Sequence, residues 1–460
     1  MKKLSLKTKL IYSLGNLGIA IITTPHMLNL VYFFFPPDNS GLPILVPQNN
    51  ILFGLTVLGI ILTIGRVFDA AIDPSIASLS DKMNRPSGKR IPWMRFSAIP
   101  FALCYLLVFF VPVSSGISIM NVVWLFAFLV LSAIFFSFYI INYNTLMVEI
   151  AQSSAEKVDL STISSAFWFV GFVLVSFTSG LWQPIADLFN VSLLWGVRLT
   201  YSLTSIVGVI FLLIPAFAIN EKEHVTKSIE YKHQKLIPAF KGVMANKSFG
   251  KFLLTNTLYT ISTYIFESGL IYFITVLALL NKSVQGTLTT VIGVLTLAFY
   301  PLINILSKKG GKKKVMIISL ISFTFTFIII SALGKFGINV YIMLGLVVLL
   351  SPFAQASFGI LPNVITADCA AYDRVKYNED KAGMYVAVNS FITKLGGSIS
   401  AIVLTSFLTL GKNVGNDSGI RYAVLFAAGL SIIGMFAMLK YNEKDIMSYP
   451  IYKQKKKRKS

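Results

Sequence analysis

The sequence predicts an all-α membrane protein of about twelve spanning helices, and three observations predict it. Of the 460 residues, 55% are hydrophobic and only 13% are charged, against the ~25% charged share of ordinary soluble domains. The mean hydropathy is +0.73. The apolar residues come in tracts of the ~20 residues that a helix needs to cross a bilayer. The charges between those tracts alternate in kind along the chain, as they do in polytopic proteins. The composition therefore overrides the two or three soluble domains that length alone would suggest.

The spans run over 10–35, 51–80, 92–112, 120–150, 161–186 and 196–219, then over 250–280, 284–306, 313–333, 339–366, 382–410 and 420–440. The first follows Lys2, Lys3, Lys7 and Lys9 but has no clear small-residue cleavage site, so it reads as a retained helix and not a signal peptide. The second ends at a basic loop with Lys82, Arg85, Lys89, Arg90 and Arg95. Of the 40 Lys and Arg residues, 33 lie on the side of the N-terminus. Only Lys282, Lys335, Lys412 and Arg421 lie opposite, and Arg66, Arg198 and Lys394 fall inside spans. An excess of Lys and Arg marks the cytoplasmic side, so both chain ends and the 220–251 loop are expected inside, at a plasma (inner) membrane. The net charge of +21 is thus accounted for by topology, and no nucleic-acid partner is expected.

The longest polar segment, with Glu221, Lys222, Glu223, His224, Lys227 and Lys232, has six spans before it and six after. It divides the chain into an N-terminal bundle over 1–219, a cytoplasmic linker over 220–249, a C-terminal bundle over 250–440 and a basic tail over 441–460. The basic loop Gly88-Lys89-Arg90 after span 2 has a counterpart, Ser307 to Lys312, after span 8. This is a faint internal repeat of the kind two-bundle transporters show. The tail Lys453 to Lys459 reads as a topology anchor or as a contact for anionic lipid. Cys104 and Cys369 have no zinc or redox spacing and read as packing residues. No HExxH and no phosphate-binding glycine loop is present, so an enzyme is not expected, nor is a resident cofactor.

A charge at mid-bilayer costs roughly 2.5–3.5 kcal/mol on insertion scales, so intramembrane charges carry the functional signal. Arg66, Asp69 and Asp73 share one face of span 2 at spacings of three and four. Two carboxylates on one face need a proton, a bound Na⁺, or a Lys or Arg partner. That serves a cation-coupled site or, alternatively, a static ion-pair brace. Lys394 in span 11 reads as their counter-ion or as a snorkelling lysine. Glu267 in span 7 contacts substrate, takes a coupling proton, or is hydrogen-bonded within the bundle. Glu149 closes span 4 as a cap or gate, and His26 reads as a packing histidine before a proton relay. Asn16, Asn142, Asn144, Trp168, Gln355, Asn363 and Asn389 are the amides and the aromatic available to line a polyol cavity.

The segment Arg66-Val-Phe-Asp69-Ala-Ala-Ile-Asp73-Pro74, then Asp81, then Gly88-Lys-Arg90-Ile-Pro92-Trp93, resembles the glycoside–pentoside–hexuronide:cation symporters, a family that includes melibiose permease. Thr8-Lys-Leu-Ile-Tyr12 with Gly15 and Gly18, Ala367-Asp368 with Tyr372, and Lys394-Leu-Gly-Gly397 extend the resemblance over nearly the whole length. It implies a major facilitator fold, two pseudo-symmetric six-helix bundles around a cavity that opens alternately to each side. It implies that Asp69 and Asp73 form the acidic pair tied to Na⁺, Li⁺ or H⁺, that Ser137 supplies a hydroxyl near the cation, and that Lys394 is the neighbouring lysine. It also implies that Asp81, Gly88 and Arg90 act in conformational switching and not in binding.

Several positions depart from the family. Ala20 stands where melibiose permease has an aspartate that holds sugar hydroxyls, Ile140 replaces a helix 4 aspartate, Ser164 an arginine and Asn142 a proline, and Ile91-Pro92-Trp93 lacks the usual preceding basic residue. The cation half of the site is kept and the galactoside half is not. The expectation is a monomeric cation-coupled symporter for a glycoside, pentoside or hexuronide. A lysophospholipid carrier of the same fold is the alternative, and a transport-like sensor is a more distant one.

Overall fold

The computed structural model describes residues 4–52, 54–81, 88–151, 154–221, 243–377 and 382–447. Helix α1 (Leu6–Phe34) starts at Ser5, whose hydroxyl accepts the Thr8 amide at 3.1 Å. A short hairpin, Asn50–Leu52 with Leu55–Thr56, leads into α2 (Val57–Asp81). Then come α3 (Ile91–Leu107), with Pro92 in its first turn, and α4 (Ile119–Ile150), capped by Ser118. The expected fifth span is broken into α5 (Ser154–Ser176) and α6 (Thr178–Leu188). At the break, the Ser176 and Thr178 hydroxyls turn back onto the carbonyls of Val173 and Val175, at 2.7 and 2.6 Å, and compete with the helical ladder.

Next are α7 (Leu193–Ala218) and α8 (Lys247–Tyr272), which runs into a π-helical turn at Phe273–Leu277. The chain continues through α9 (Val284–Gly310), α10 (Lys312–Ser331), α11 (Val340–Tyr377), α12 (Ala382–Leu408), α13 (Ser418–Leu439) and the short α14 (Glu443–Met447). Helix α11 outruns its expected end at 366, because its last turns carry Asp368, Arg374 and Lys376 and stay helical as polar helix. Among the described residues, 10 helices are long and apolar enough to cross a membrane. The three charges Arg66, Asp69 and Asp73 keep α2 out of that set, and α3 is shorter, at 17 residues.

The chain forms two compact units. The first comprises Met1–Tyr231, Glu267–Thr290 and Ala401–Asp417, and the second comprises Lys232–Phe266, Val291–Ser400 and Ser418–Ser460. In the first, α1 is the interior helix: 83% of its apolar window is buried, against 22% for α4, which presents apolar side chains outward as a lipid-facing helix does. Helix α1 packs on α5 and α7, α3 on α4 and α7, and α2 on α4. Backbones approach closely where glycine allows it, since a Cβ on Gly18 would stand 2.8 Å from the Gly208 carbonyl. Tyr12 and Tyr143 stack at 4.2 Å, and each donates its hydroxyl to the other's carbonyl, at 2.8 and 2.6 Å.

The C-terminal end of α1 is held by later parts of the chain. Tyr272 donates to the Phe35 carbonyl at 2.7 Å, and Lys412 donates to that of Pro36 at 2.6 Å. These satisfy carbonyls that a helix end leaves without partners. In the second unit, α10 packs on α11 and α13, and Tyr259 stacks on Phe358 at 3.5 Å.

Candidate functional site

The acidic pair of α2 meets a hydroxyl from α4. Ser137 is fully buried, and its Oγ lies 2.9 Å from Asp69 Oδ1 and 2.6 Å from Asp73 Oδ1. A serine hydroxyl carries one hydrogen. It can donate to one carboxylate at a time, and the three oxygens leave an arrangement that a proton or a small cation would suit. The donor set is oxygen only, which suits a proton or a small hard cation and not a thiophilic metal. Among the described residues no group of three or more His, Cys, Asp or Glu side chains forms a metal cluster.

Arg66 lies one turn away on the same helix, and its charge acts on Glu267 and on His26. His26 is a packed histidine. Its Nε2 lies 2.8 Å from the Tyr105 carbonyl and its ring stacks on Tyr105 at 4.3 Å. Lys394 lies on α12 in the second unit, where its carbonyl accepts Ser398 Oγ at 3.2 Å.

The other residues singled out in the sequence are spread more widely. Asn16 donates to the Ser164 carbonyl at 3.2 Å, tying α1 to α5. Trp168 is partly buried and stacks on Phe172 at 5.2 Å. Gln355 is partly buried on α11. Asn389 accepts from Asn256 at 3.1 Å, joining α12 to α8. Ala20 is fully buried and faces Gly171, so the family's aspartate would have little room at this position.

Asn142 belongs to a different cluster. It is fully buried, donates to the Phe138 carbonyl at 2.8 Å and accepts a short hydrogen bond from Ser80. Ser80 in turn accepts from Arg90 Nη1 at 2.8 Å, and Arg90 donates through Nε and Nη2 to Glu149 Oε1, at 3.1 and 2.9 Å. The Arg90 and Glu149 side chains are each 4% exposed. Asp81 ends α2, and its side chain lies outside the described residues.

Glu221 completes this cluster, and the sequence analysis placed it only among the linker charges. It is buried, and its carboxylate accepts the backbone amides of Lys89, Arg90 and Ile91, at 2.6, 2.9 and 3.0 Å. It thus satisfies the free amides at the start of α3, where the helix dipole favours an anion. Gly88 makes the approach possible: it sits at φ +106°, and a Cβ there would come within 2.2 Å of the Glu221 carboxylate.

The second unit repeats the device. Glu443 accepts the amides of Lys312 and Lys313, at 2.7 and 3.0 Å, beside Gly311 at φ +90°. Lys312 pairs with Asp368 as Arg90 pairs with Glu149. A signal was present in the sequence, because Asn-Glu-Lys occurs at 220–222 and again at 442–444, at the close of each half. We expect Gly88→Ala to lower the melting temperature, at a cost of about 1–3 kcal/mol from strain alone. Gly429→Ala, with nothing within 4 Å of its added Cβ, should leave the melt unchanged.

A family model described as MFS/sugar transport protein matches residues 49–415. An uncharacterized symporter of Synechocystis sp. is 34% identical over 177 residues, which is 38% of this chain and 30% of that protein. The lactose permease of Leuconostoc lactis is 24% identical over 435 residues, 88% of this chain and 64% of that protein. The matches therefore span less than two thirds of the length of either relative. A crystal structure of the nucleoside transporter NupG superposes with a TM-score of 0.62 at 16% identity, covering 95% of this chain and 99% of that one, which shows a shared fold. The fold is thus that of the major facilitator superfamily, and this multi-pass membrane protein belongs to the MFS/sugar transport protein family.

Proposed function

We propose that the protein moves a sugar across the plasma membrane by symport with Na⁺ or H⁺ (Li⁺ substituting for Na⁺), with both chain ends in the cytoplasm. The observation that carries this reading is the bridge from Ser137 to both Asp69 and Asp73. Two carboxylates gathered on one neutral hydroxyl concentrate negative charge, and binding a proton or cation offsets it. The cavity closes readily only with the pair neutralised, so cation and sugar each raise the other's affinity by the same factor. Alternating exposure of the site to the two sides completes the cycle.

A sugar is supported by the family and by the similarity to a lactose permease. Ala20, where melibiose permease has a sugar-binding aspartate, and Ile140, in place of a second aspartate, argue for a substrate other than a melibiose-type galactoside. The test is sugar-driven ion movement. Proteoliposomes with equal ion concentrations on both sides receive a candidate sugar, and internal Na⁺ and pH are followed. The reading expects one ion to enter with the sugar; sugar entry without ion movement would contradict it. Ser137→Ala should weaken apparent cation affinity about 10-fold, the equivalent of one hydrogen bond to a charged group, while leaving the maximal rate largely intact.

A further inference from the structure

Beside the C-terminal end of α1, the first unit holds a cavity of about 640 Å³. Small-molecule sites commonly run from about 300 to 1,000 Å³. Lys282, from the loop between the π-helical turn and α9, lines it. The Lys282 ammonium stands 5.5 Å from the ring centres of both Tyr32 and Trp182, two fully enclosed side chains. Its one hydrogen bond among the described residues runs to the Ser40 carbonyl, at 3.1 Å. An ammonium has three donors, so two remain for a ligand.

Among the described residues no carboxylate comes within ion-pair distance of Lys282. Burial alone pushes its ammonium from 10.5 down to about 8, with no nearby charge opposing the shift. It also sits at the N-terminal end of the 27-residue α9, where the helix dipole favours an anion over a cation.

Lys412 is the informative contrast. It is buried and also pushed down to about 8, but the charge of Asp38 works against that shift. Its ammonium binds the Pro36 carbonyl and Gln48 Oε1 and stands 4.5 Å from the Phe35 ring centre, so it is occupied by protein. Enclosed charges are normally balanced by an opposite charge. Lys282 is partly buried and lines a cavity, and among the described residues it has no such partner.

The rest of the lining says what else the ligand carries. Gln183, Asn39 and Asn281 contribute side-chain amides to the lining. Gln183 spends one donor on Asp187, at 2.7 Å, leaving its carbonyl oxygen for a hydroxyl. Asp187 also lines the cavity, and its charge disfavours a ligand with more than one negative charge.

We propose that this cavity captures an acidic sugar, its carboxylate paired with Lys282 and its hydroxyls on the amides of Asn39, Asn281 and Gln183. The identity of the ligand rests on the sugar-transport reading, while the charge balance of the cavity stands without it. The other ionisable side chains lining the cavity are Tyr32 of α1 and Asp187 of α6.

The test is calorimetric titration of the full-length protein in detergent with D-glucuronate and with D-glucose. Near pH 6.5, glucuronate should bind at least about 10-fold tighter than glucose, by the pairing of its charge. Lys282→Met should lose about 10-fold or more of that affinity, and Lys282→Arg should keep most of it. Glucose affinity should change less than about twofold in Lys282→Met, which also shows that the variant is folded. Glucuronate binding should weaken as the pH rises past about 8, because the free ammonium deprotonates there.

Equal glucuronate affinity in wild type and Lys282→Met would overturn the proposal, and so would glucuronate binding no tighter than glucose. Failure here with ion-coupled uptake of a neutral sugar intact would sink the capture site alone. Lys282-dependent glucuronate binding without any ion-coupled uptake would uphold the site and sink the symport reading.

Discussion

Arg90→Ala will destabilise the protein by about 3–5 kcal/mol, the usual cost of removing one partner from an enclosed ion pair. The reason lies in what stays behind. Glu149 is 4% exposed and receives two of the Arg90 hydrogen bonds. Without the guanidinium, its carboxylate remains enclosed and loses its cation. Ser80 loses a donor as well, and through Ser80 the change reaches Asn142 on α4. The start of α3 is affected less, because Glu221 holds it through backbone amides that the substitution does not remove. The double variant Arg90→Ala/Glu149→Ala should recover part of the loss, since no stranded charge remains. Thermal unfolding in detergent reads both. A single variant that melts like wild type would show that the pair adds nothing to stability.

Asp73→Asn will abolish accumulation while exchange of substrate across the membrane continues. Asparagine keeps the shape of the side chain and can still meet Ser137. It cannot take up a coupling proton, and it removes one negative charge from the oxygens that would hold Na⁺. The cavity can then close without the cation, so substrate equilibrates and is no longer driven. The expected accumulation ratio falls to about one, the value that uncoupled equilibration sets. Retained accumulation would mean that Asp69 and Asp73 brace α2 and do not couple transport.

The parts of this molecule that the sequence discloses are those in which a single segment carries the signal. The charges of α2 are legible because an ionised group inside a span is costly and because spacings of three and four share a face. The helices are legible from hydropathy, apart from the break at Phe177 and the π-helical turn at Phe273–Leu277, which depend on local hydroxyl bonding and packing. Ser137 is visible only through resemblance, because it meets Asp73 from 64 residues away on another helix.

Glu221 is hidden for a related reason. Its role depends on a positive φ at Gly88, 133 positions earlier, and a charge in a polar linker looks the same whether solvated or buried. Lys282 and Lys412 look like ordinary loop lysines of the sparsely charged side. The structure buries Lys412 and partly buries Lys282, each lines a cavity, and the bonds of Lys412 to Pro36 and Gln48 set it apart from Lys282.

The most direct test of the central claim is concentrative uptake by the wild-type protein. Proteoliposomes are loaded so that either a Na⁺ or an H⁺ gradient points inward, and entry of labelled neutral and acidic sugars is followed to steady state. Coupled symport predicts that one sugar rises inside well above its outside concentration under one of the two gradients, and that an ionophore for that ion returns it to the outside level. Equilibration to the outside concentration under both gradients, unchanged by ionophore, would contradict coupling and leave Asp69, Asp73 and Ser137 as a structural brace.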